Sequence, residues 1–361
     1  MDEQLINNIM DYTLLAENVS NERELLASGS SWLVITYGSF IAVLGSILFT
    51  VIIVLVLTSN RRHMQLNRQL QVCLSVLHMT SFVVVVPAEI ARECLGGWSL
   101  GDVSCRVWLV INQMLVPMTL WTIFCLVLST LQEHVSRACC YSSAQSSVTS
   151  ASILTSATII TATPLVSAIF YANDLLLTDV CAVLVDAHYT MTSSLVGYFL
   201  PAPAVIIILF ILALGSCTRS QSRDVSYLQH AGTQPRIVTT TIQAFGHVQR
   251  MNQSDARFRN ACVTLTAYSS VYIICWAPFY TTNVWLSVGR CRDDVCFNAG
   301  VWTLLQWFGY SSSLLVGCCF FISADLQDAL NRWLNAEHVT YRTPSIGSST
   351  LNRHTSVKCS E

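Results

Sequence analysis

Residues 25–60 read LLASGSSWLVITYGSFIAVLGSILFTVIIVLVLTSN, 36 positions without one charged side chain. The apolar heart of this run is about 20 residues long, which is what a helix needs to cross ~30 Å of hydrocarbon. Six more windows share the property: Gln69–Ala88, Val107–Gln132, Ala138–Asn173, Tyr189–Thr218, Asn260–Gly289 and Val295–Ala324. Charges are confined to the gaps between them. With no water in the bilayer core, each segment has to satisfy its backbone N–H and C=O groups internally, so the windows predict helices rather than strands. The expected fold is therefore all-α, a seven-transmembrane helix bundle.

Composition agrees with that count. The 361 residues are 53% hydrophobic and only 11% charged, with mean hydropathy +0.52, where a soluble protein is about a quarter charged. Spans and short loops use nearly the whole chain: an N-tail over 1–30, a bundle over 31–324, and a tail with a short amphipathic helix over 325–361. Basic residues set the orientation. Placing the N-terminus outside puts 14 of the 19 Lys and Arg inside, together with seven of the 21 acids. The inner face then carries about +7 and the outer about −9, a field that would steer a basic ligand toward the outer side. Residues 1–24 lack the basic start and apolar core of a signal peptide. Asn18-Val19-Ser20 is a glycosylation sequon on the outer side.

Compartment sorts the fifteen cysteines. Cys94, Cys105, Cys181, Cys291 and Cys296 fall outside, where disulfides persist. Cys105 opens span three and Cys181 lies in the second outer loop, a pairing that would pin the loop over the bundle. Cys291 and Cys296 are close enough to close a small ring, leaving Cys94 over. Cys139 and Cys140, at the inner surface, are candidates for palmitoylation.

Cys275-Trp276-Ala277-Pro278-Phe279-Tyr280 in span six resembles the Cys-Trp-x-Pro motif of rhodopsin-like (class A) G-protein-coupled receptors. Pro87, Pro164 and Pro201 stand where that family kinks spans two, four and five. Trp98-Ser99-Leu100-Gly101 is similar to its first-outer-loop signature. The Phe-Tyr ending of span six and the acidic, tyrosine-bearing N-tail (Asp11-Tyr12) resemble chemokine receptors in particular. The resemblance implies an extracellular basic protein or peptide ligand, a heterotrimeric G protein or arrestin inside, contact with membrane lipid, and a plasma-membrane location. It implies no cofactor, no metal, no enzymatic activity and no nucleic-acid partner.

The departures from the family pattern are equally specific. Counted from Cys105, the Asp-Arg-Tyr of span three falls on Ser129-Thr130-Leu131, so the arginine that engages G proteins is missing. Counted back from Pro87, the sodium-binding aspartate falls on Met79, beside His78. The span-one asparagine is Ser46, and the Asn-Pro-x-x-Tyr motif is replaced by Leu315-Val316-Gly317-Cys318-Cys319. Two opposite consequences follow from the resemblance: loss of resting-state contacts favours ligand-independent signalling, and loss of the arginine favours a receptor that binds without coupling. Erosion of this kind resembles receptors carried by herpesviruses, in which case the location is the host cell membrane. The near-exclusive use of arginine, with Lys358 the single lysine, fits that origin.

The ligand pocket is expected between the outer ends of the spans. Asn112 stands where amine receptors carry aspartate, and no span contains the lysine that a retinal pigment needs. The chemokine-receptor glutamate of span seven counts onto Leu305, next to Gln306, which leaves Glu89 as the substitute anchor. Glu89, Asn112, Asp179, Asp186, Trp276, Tyr280 and Gln306 are the candidate ligand contacts, with Trp98, Trp285, Trp302 and Trp307 as aromatic surface. Glu89 has an equally simple reading as an interfacial residue facing water, and the tryptophans as an ordinary aromatic belt. Inside, 218–259 reads as a long polar loop, and Asp325–Asn335 as an amphipathic helix with Leu326, Leu330, Trp333 and Leu334 on one face. The alternative function is a ligand sink or a modulator of host receptors. A transporter or membrane enzyme is disfavoured, since the spans show neither repeated halves nor internal charge pairs.

Overall fold

The computed structural model describes residues 30–58, 65–139, 176–177, 181–183, 187–230, 238–288 and 299–339. Six of the seven expected spans are helices there. Span one is Ser30–Thr58, span three Asp102–Cys139, span six Val238–Val288 and span seven Ala299–Phe320. Span two runs through Gln65–Thr80 and Val86–Leu95 around a π turn at Ser81–Val85, and span five through Ala187–Ser194 and Pro201–His230 around a second at Leu195–Phe199. Span four lies outside the described residues, as do Tyr12, Asn18, Cys140, Asp179, Asp186, Cys291, Cys296 and the tail beyond 339.

The faces of these helices explain the composition. Span one buries Ile41, Phe49, Ile52 and Leu55 against its neighbours, while Phe40, Val43, Ile47, Val51 and Val54 project outward, Phe40 being 61% exposed. In water a continuous apolar stripe of that kind would be a liability; in lipid it is the required surface. Serine and threonine hydroxyls inside the spans bond back to the preceding turn, as in Ser46 to the Ala42 carbonyl (2.7 Å) and Thr119 to the Leu115 carbonyl (2.7 Å). These hydroxyls are satisfied without leaving their own helix.

Both π turns precede a proline, Pro87 in span two and Pro201 in span five. Proline donates no N–H and its ring crowds the carbonyl four residues back, and a π turn absorbs the mismatch with one extra residue. Pro117 and Pro278 instead sit within continuous helices. The extra residue in span two has a consequence for counting. A tally back from Pro87 that assumes α geometry is displaced by one, so the inward-facing position is His78 rather than Met79.

Three other boundaries differ from expectation. Span two continues past its charge-free window to Leu95, which places Glu89, Arg92 and Glu93 on the helix and pairs charges inside it. It ends at Gly96, whose φ of 66° is the left-handed cap that glycine adopts without strain, and the Gly97 N–H closes onto the Arg92 carbonyl (3.1 Å). The stretch 218–259, expected as a loop, is helical to His230 and again from Val238. Most polar residues in these two helical parts, the glutamines and arginines among them, are adequate helix formers, and Gly246 is tolerated within the second. The amphipathic helix is longer than expected, Ala324–Val339, and turns 71° from span seven. Leu326 and Ala329 pack on the bundle, Leu330 is half-buried, and Trp333 and Leu334 are exposed, free to enter a membrane surface.

At the opposite end, Cys105 and Cys181 form the expected disulfide. It fastens a two-strand pair, Leu176–Leu177 against Ala182–Val183, to the start of span three. Cys105, Trp108, Leu109 and Cys181 bury one another there, with Trp98 and Tyr189 packed on them.

Candidate functional site

Glu89 lies on the last turns of span two, one helical turn before Arg92. The spacing puts the two on one face, and the Arg92 guanidinium donates to Glu89 Oε1 and reaches Glu93 Oε1 at 3.4 Å. Glu89 is only 1% exposed, so its carboxylate is buried and does not face water at the interface. Its second oxygen, Oε2, is buried with no hydrogen-bond partner among the described residues. Arg92 lies 5.6 Å over the Trp108 ring, and Trp108 packs on Trp98 at 5.2 Å with the rings tilted by 38°. Trp98 donates its indole N–H to the Gly101 carbonyl (2.9 Å). The first outer turn, the disulfide and the acid–base pair therefore form one packed unit.

Span seven contributes Gln306 and Tyr310, four residues apart and so on the same face. Gln306 Nε2 donates to the Tyr310 hydroxyl (2.8 Å), which donates to Asn112 Oδ1 on span three (3.0 Å). Gln306 faces inward, with Leu305 half-buried beside it. Tyr310 was missed in the sequence; its spacing from Gln306 was the signal that could have found it. Arg92 was read there only as an outer-side charge.

Below this layer Trp276 is boxed by aromatic rings: Phe279 at 5.5 Å, Tyr310 at 6.1 Å, Tyr280 at 6.3 Å and Tyr272 at 6.4 Å. Gly309 of span seven lies against its face, and a Cβ there would come within 2.9 Å of the indole. Tyr280 stacks on Tyr198 of span five (4.7 Å, 9°), and Tyr198 donates to the Ile273 carbonyl (2.5 Å). Trp307 is core, 6% exposed between Tyr37 and Tyr310. Trp302 packs on Phe279 at 4.9 Å, and Trp285 is exposed. Of the four tryptophans expected as pocket surface, then, Trp307 is removed by packing and Trp285 suits a lipid-facing belt.

His78 takes the midpoint of the bundle. Its Nδ1 is 2.9 Å from Ser313 Oγ of span seven, its ring stacks on Phe49 of span one (5.0 Å), and Tyr272 of span six meets it edge-on (5.9 Å). One imidazole thus joins four helices where a charged carboxylate was absent from the sequence. Among the described residues no group of three or more His, Cys, Asp or Glu side chains is placed to hold a metal.

Near the inner end of span three the contacts to neighbouring helices are made by neutral side chains. Ser129 donates to Asn67 Oδ1 of span two (2.5 Å), and Thr130, buried, donates to the Leu126 carbonyl of its own helix (2.9 Å). His134 packs at 5.0 Å on Phe258 of span six.

An apolar-faced helix bundle with a polar, aromatic-floored site near its disulfide-clamped end has the construction of a multi-pass membrane receptor. The chain belongs to the seven-transmembrane receptors of the rhodopsin family, whose profile matches residues 49–315. It is 22% identical over 301 residues to the alpha-1D adrenergic receptor of Rattus norvegicus, a match covering 76% of this chain and 53% of that protein. It is 21% identical to the D(1)-like dopamine receptor of Takifugu rubripes, across 94% of this chain and 79% of that one. To the histamine H2 receptor of Homo sapiens it is also 21% identical, across 83% and 79%. The chain spans about half the length of the adrenergic relatives it matches.

Proposed function

We propose that this receptor takes a basic peptide or chemokine-type ligand, whose cationic group is received by Glu89. The observation that carries the reading is the Glu89 carboxylate, buried, held on one oxygen by Arg92 and with the other oxygen unpartnered among the described residues. A buried carboxylate is costly unless charge or hydrogen bonds compensate it, and an incoming ammonium or guanidinium would supply the missing partner. The relatives are named for small amines, but the span-three position that would hold an amine carries Asn112, a neutral amide already engaged by Tyr310. Trp276, Tyr280 and Gln306 would line the floor, and the acidic outer face would raise the encounter rate. Asp179, Asp186 and a sugar on Asn18 complete the proposed outer surface, and a Cys291–Cys296 bridge the third outer loop. The loss of family motif residues and the preference for arginine support a herpesvirus-encoded homologue, working at the host plasma membrane.

The second reading, a sink or modulator that binds without coupling, is favoured by Thr130. It is buried and bonded within its own helix where the family places an arginine. One experiment separates the two. Cells expressing the chain are assayed for G-protein activation without ligand and for uptake of labelled basic chemokines, with Glu89→Gln alongside. Signalling supports coupling to a G protein. Uptake without signalling at any dose supports the sink. Uptake that Glu89→Gln leaves unchanged would remove Glu89 as the anchor in either case.

A further inference from the structure

The amphipathic helix begins at Ala324 after a tight turn, in which the Phe321, Ile322 and Ser323 N–H groups bond to the carbonyls of Cys318, Cys319 and Phe320 (3.2, 3.0 and 3.0 Å). A helix start leaves N–H groups without partners in its own ladder, and a side chain just ahead of the helix ordinarily caps them. Here the cap comes from elsewhere. Asn260 of span six accepts from the Ala324 N–H on Oδ1 (2.6 Å) and donates from Nδ2 to the Ile322 carbonyl (3.2 Å). Both ends of one carboxamide are used, across more than 60 residues of chain.

The opposite side of the same turn is also engaged. Residues 258 and 260 lie about 200° apart around a helix, and Phe258 packs on His134 of span three. Higher up, Tyr268 of span six stacks on Phe320 of span seven at 5.4 Å and 5°. The inner end of span six is therefore gripped from two sides, by span three through Phe258 and by the start of the amphipathic helix through Asn260. A movement of this turn of span six away from span three would separate Phe258 from His134 and carry Asn260 with it.

We propose that Asn260 is a latch between span six and the amphipathic helix: it caps that helix only while the inner end of span six is closed. Opening breaks both bonds together, exposes the Ala324 N–H and the Ile322 carbonyl, and frays the first turn. A movement of span six is thereby reported to the helix whose Trp333 and Leu334 face outward. The signalling consequence rests on the receptor reading above; the capping itself does not.

The test uses the full-length chain in lipid nanodiscs and amide hydrogen exchange resolved over residues 321–329. Asn260→Ala removes both bonds and is expected to speed exchange at Ala324 about tenfold. Asn260→Asp keeps the acceptor for that N–H and is expected to hold Ala324 near wild type while loosening the Ile322 side. Unchanged exchange at Ala324 in Asn260→Ala overturns the latch, and so does equal loss of protection in both variants throughout the bundle. Activation of G protein without ligand is measured on the same variants. Faster exchange at Ala324 without any activation supports the latch and counts against coupling, so the two ideas fail separately.

Discussion

Gly309→Ala sets two effects of opposite sign against each other. Alanine in place of a mid-helix glycine favours the helix by about 1 kcal/mol, because less backbone entropy is lost. The new Cβ, however, would lie 2.9 Å from Trp276 Cη2 and Cζ3 and 3.0 Å from Cε2, where carbon atoms prefer about 3.5–4 Å. The indole has to retreat by about half an ångström or more. It is 5% exposed and hemmed by Tyr272, Phe279, Tyr280 and Tyr310, so no open side receives it. Overpacking of this kind costs about 1–3 kcal/mol, which leaves a net loss near 1 kcal/mol. Thermal unfolding in detergent, followed by loss of helical circular dichroism, should show Gly309→Ala melting below wild type. In a Trp276→Leu background the clash is gone, and the same substitution should become neutral or stabilising, a coupling read from the double-mutant cycle. Should Gly309→Ala melt at or above wild type, the account of Trp276 as a ring fixed from all sides is wrong.

His78→Leu strands the buried Ser313 hydroxyl and should cost about 1–2 kcal/mol; adding Ser313→Ala should return part of it, and equal losses in single and double variants would dismiss the bond. Because the bundle carries a histidine where an ion site would need a carboxylate, melting in sodium and in potassium chloride at equal ionic strength should coincide, and His78→Asp should gain a sodium-specific rise. A sodium-specific shift in the unmodified protein would contradict this. Cys181→Ser releases the strand pair from span three and should lower stability by about 2 kcal/mol or more. Reductant should lower the melting point of wild type by more than it lowers that of the variant; equal shifts in the two would show that the Cys105–Cys181 bridge contributes little.

How far the site could be read before the fold was known differs from residue to residue. Gln306 is legible only as a neighbour of Leu305, and the helix turns it inward; Tyr310, four residues further on, shares its face, which the helical spacing alone implies. Met79 came from a straight count through a stretch that contains a π turn, and no residue in Ser81–Val85 announces one beyond the proline that follows. Glu89 was legible as an acid near the outer end of span two, yet its burial was not. That depends on Arg92 and on the Trp108 unit closing around it. Asn260 is one asparagine at the edge of a window, and nothing local distinguishes it.

The sequence by itself determined which segments of the described chain are apolar spans, because transfer from water to lipid is a property of each segment taken alone, and it paired Cys105 with Cys181. Which face of each helix turns inward, and by how many residues a bulge shifts it, belongs to the tertiary structure. So do the partners of the few polar side chains inside. Those contacts join residues far apart in the chain, as His78 and Ser313 are at 235 positions, and only the packed bundle brings them within hydrogen-bond reach.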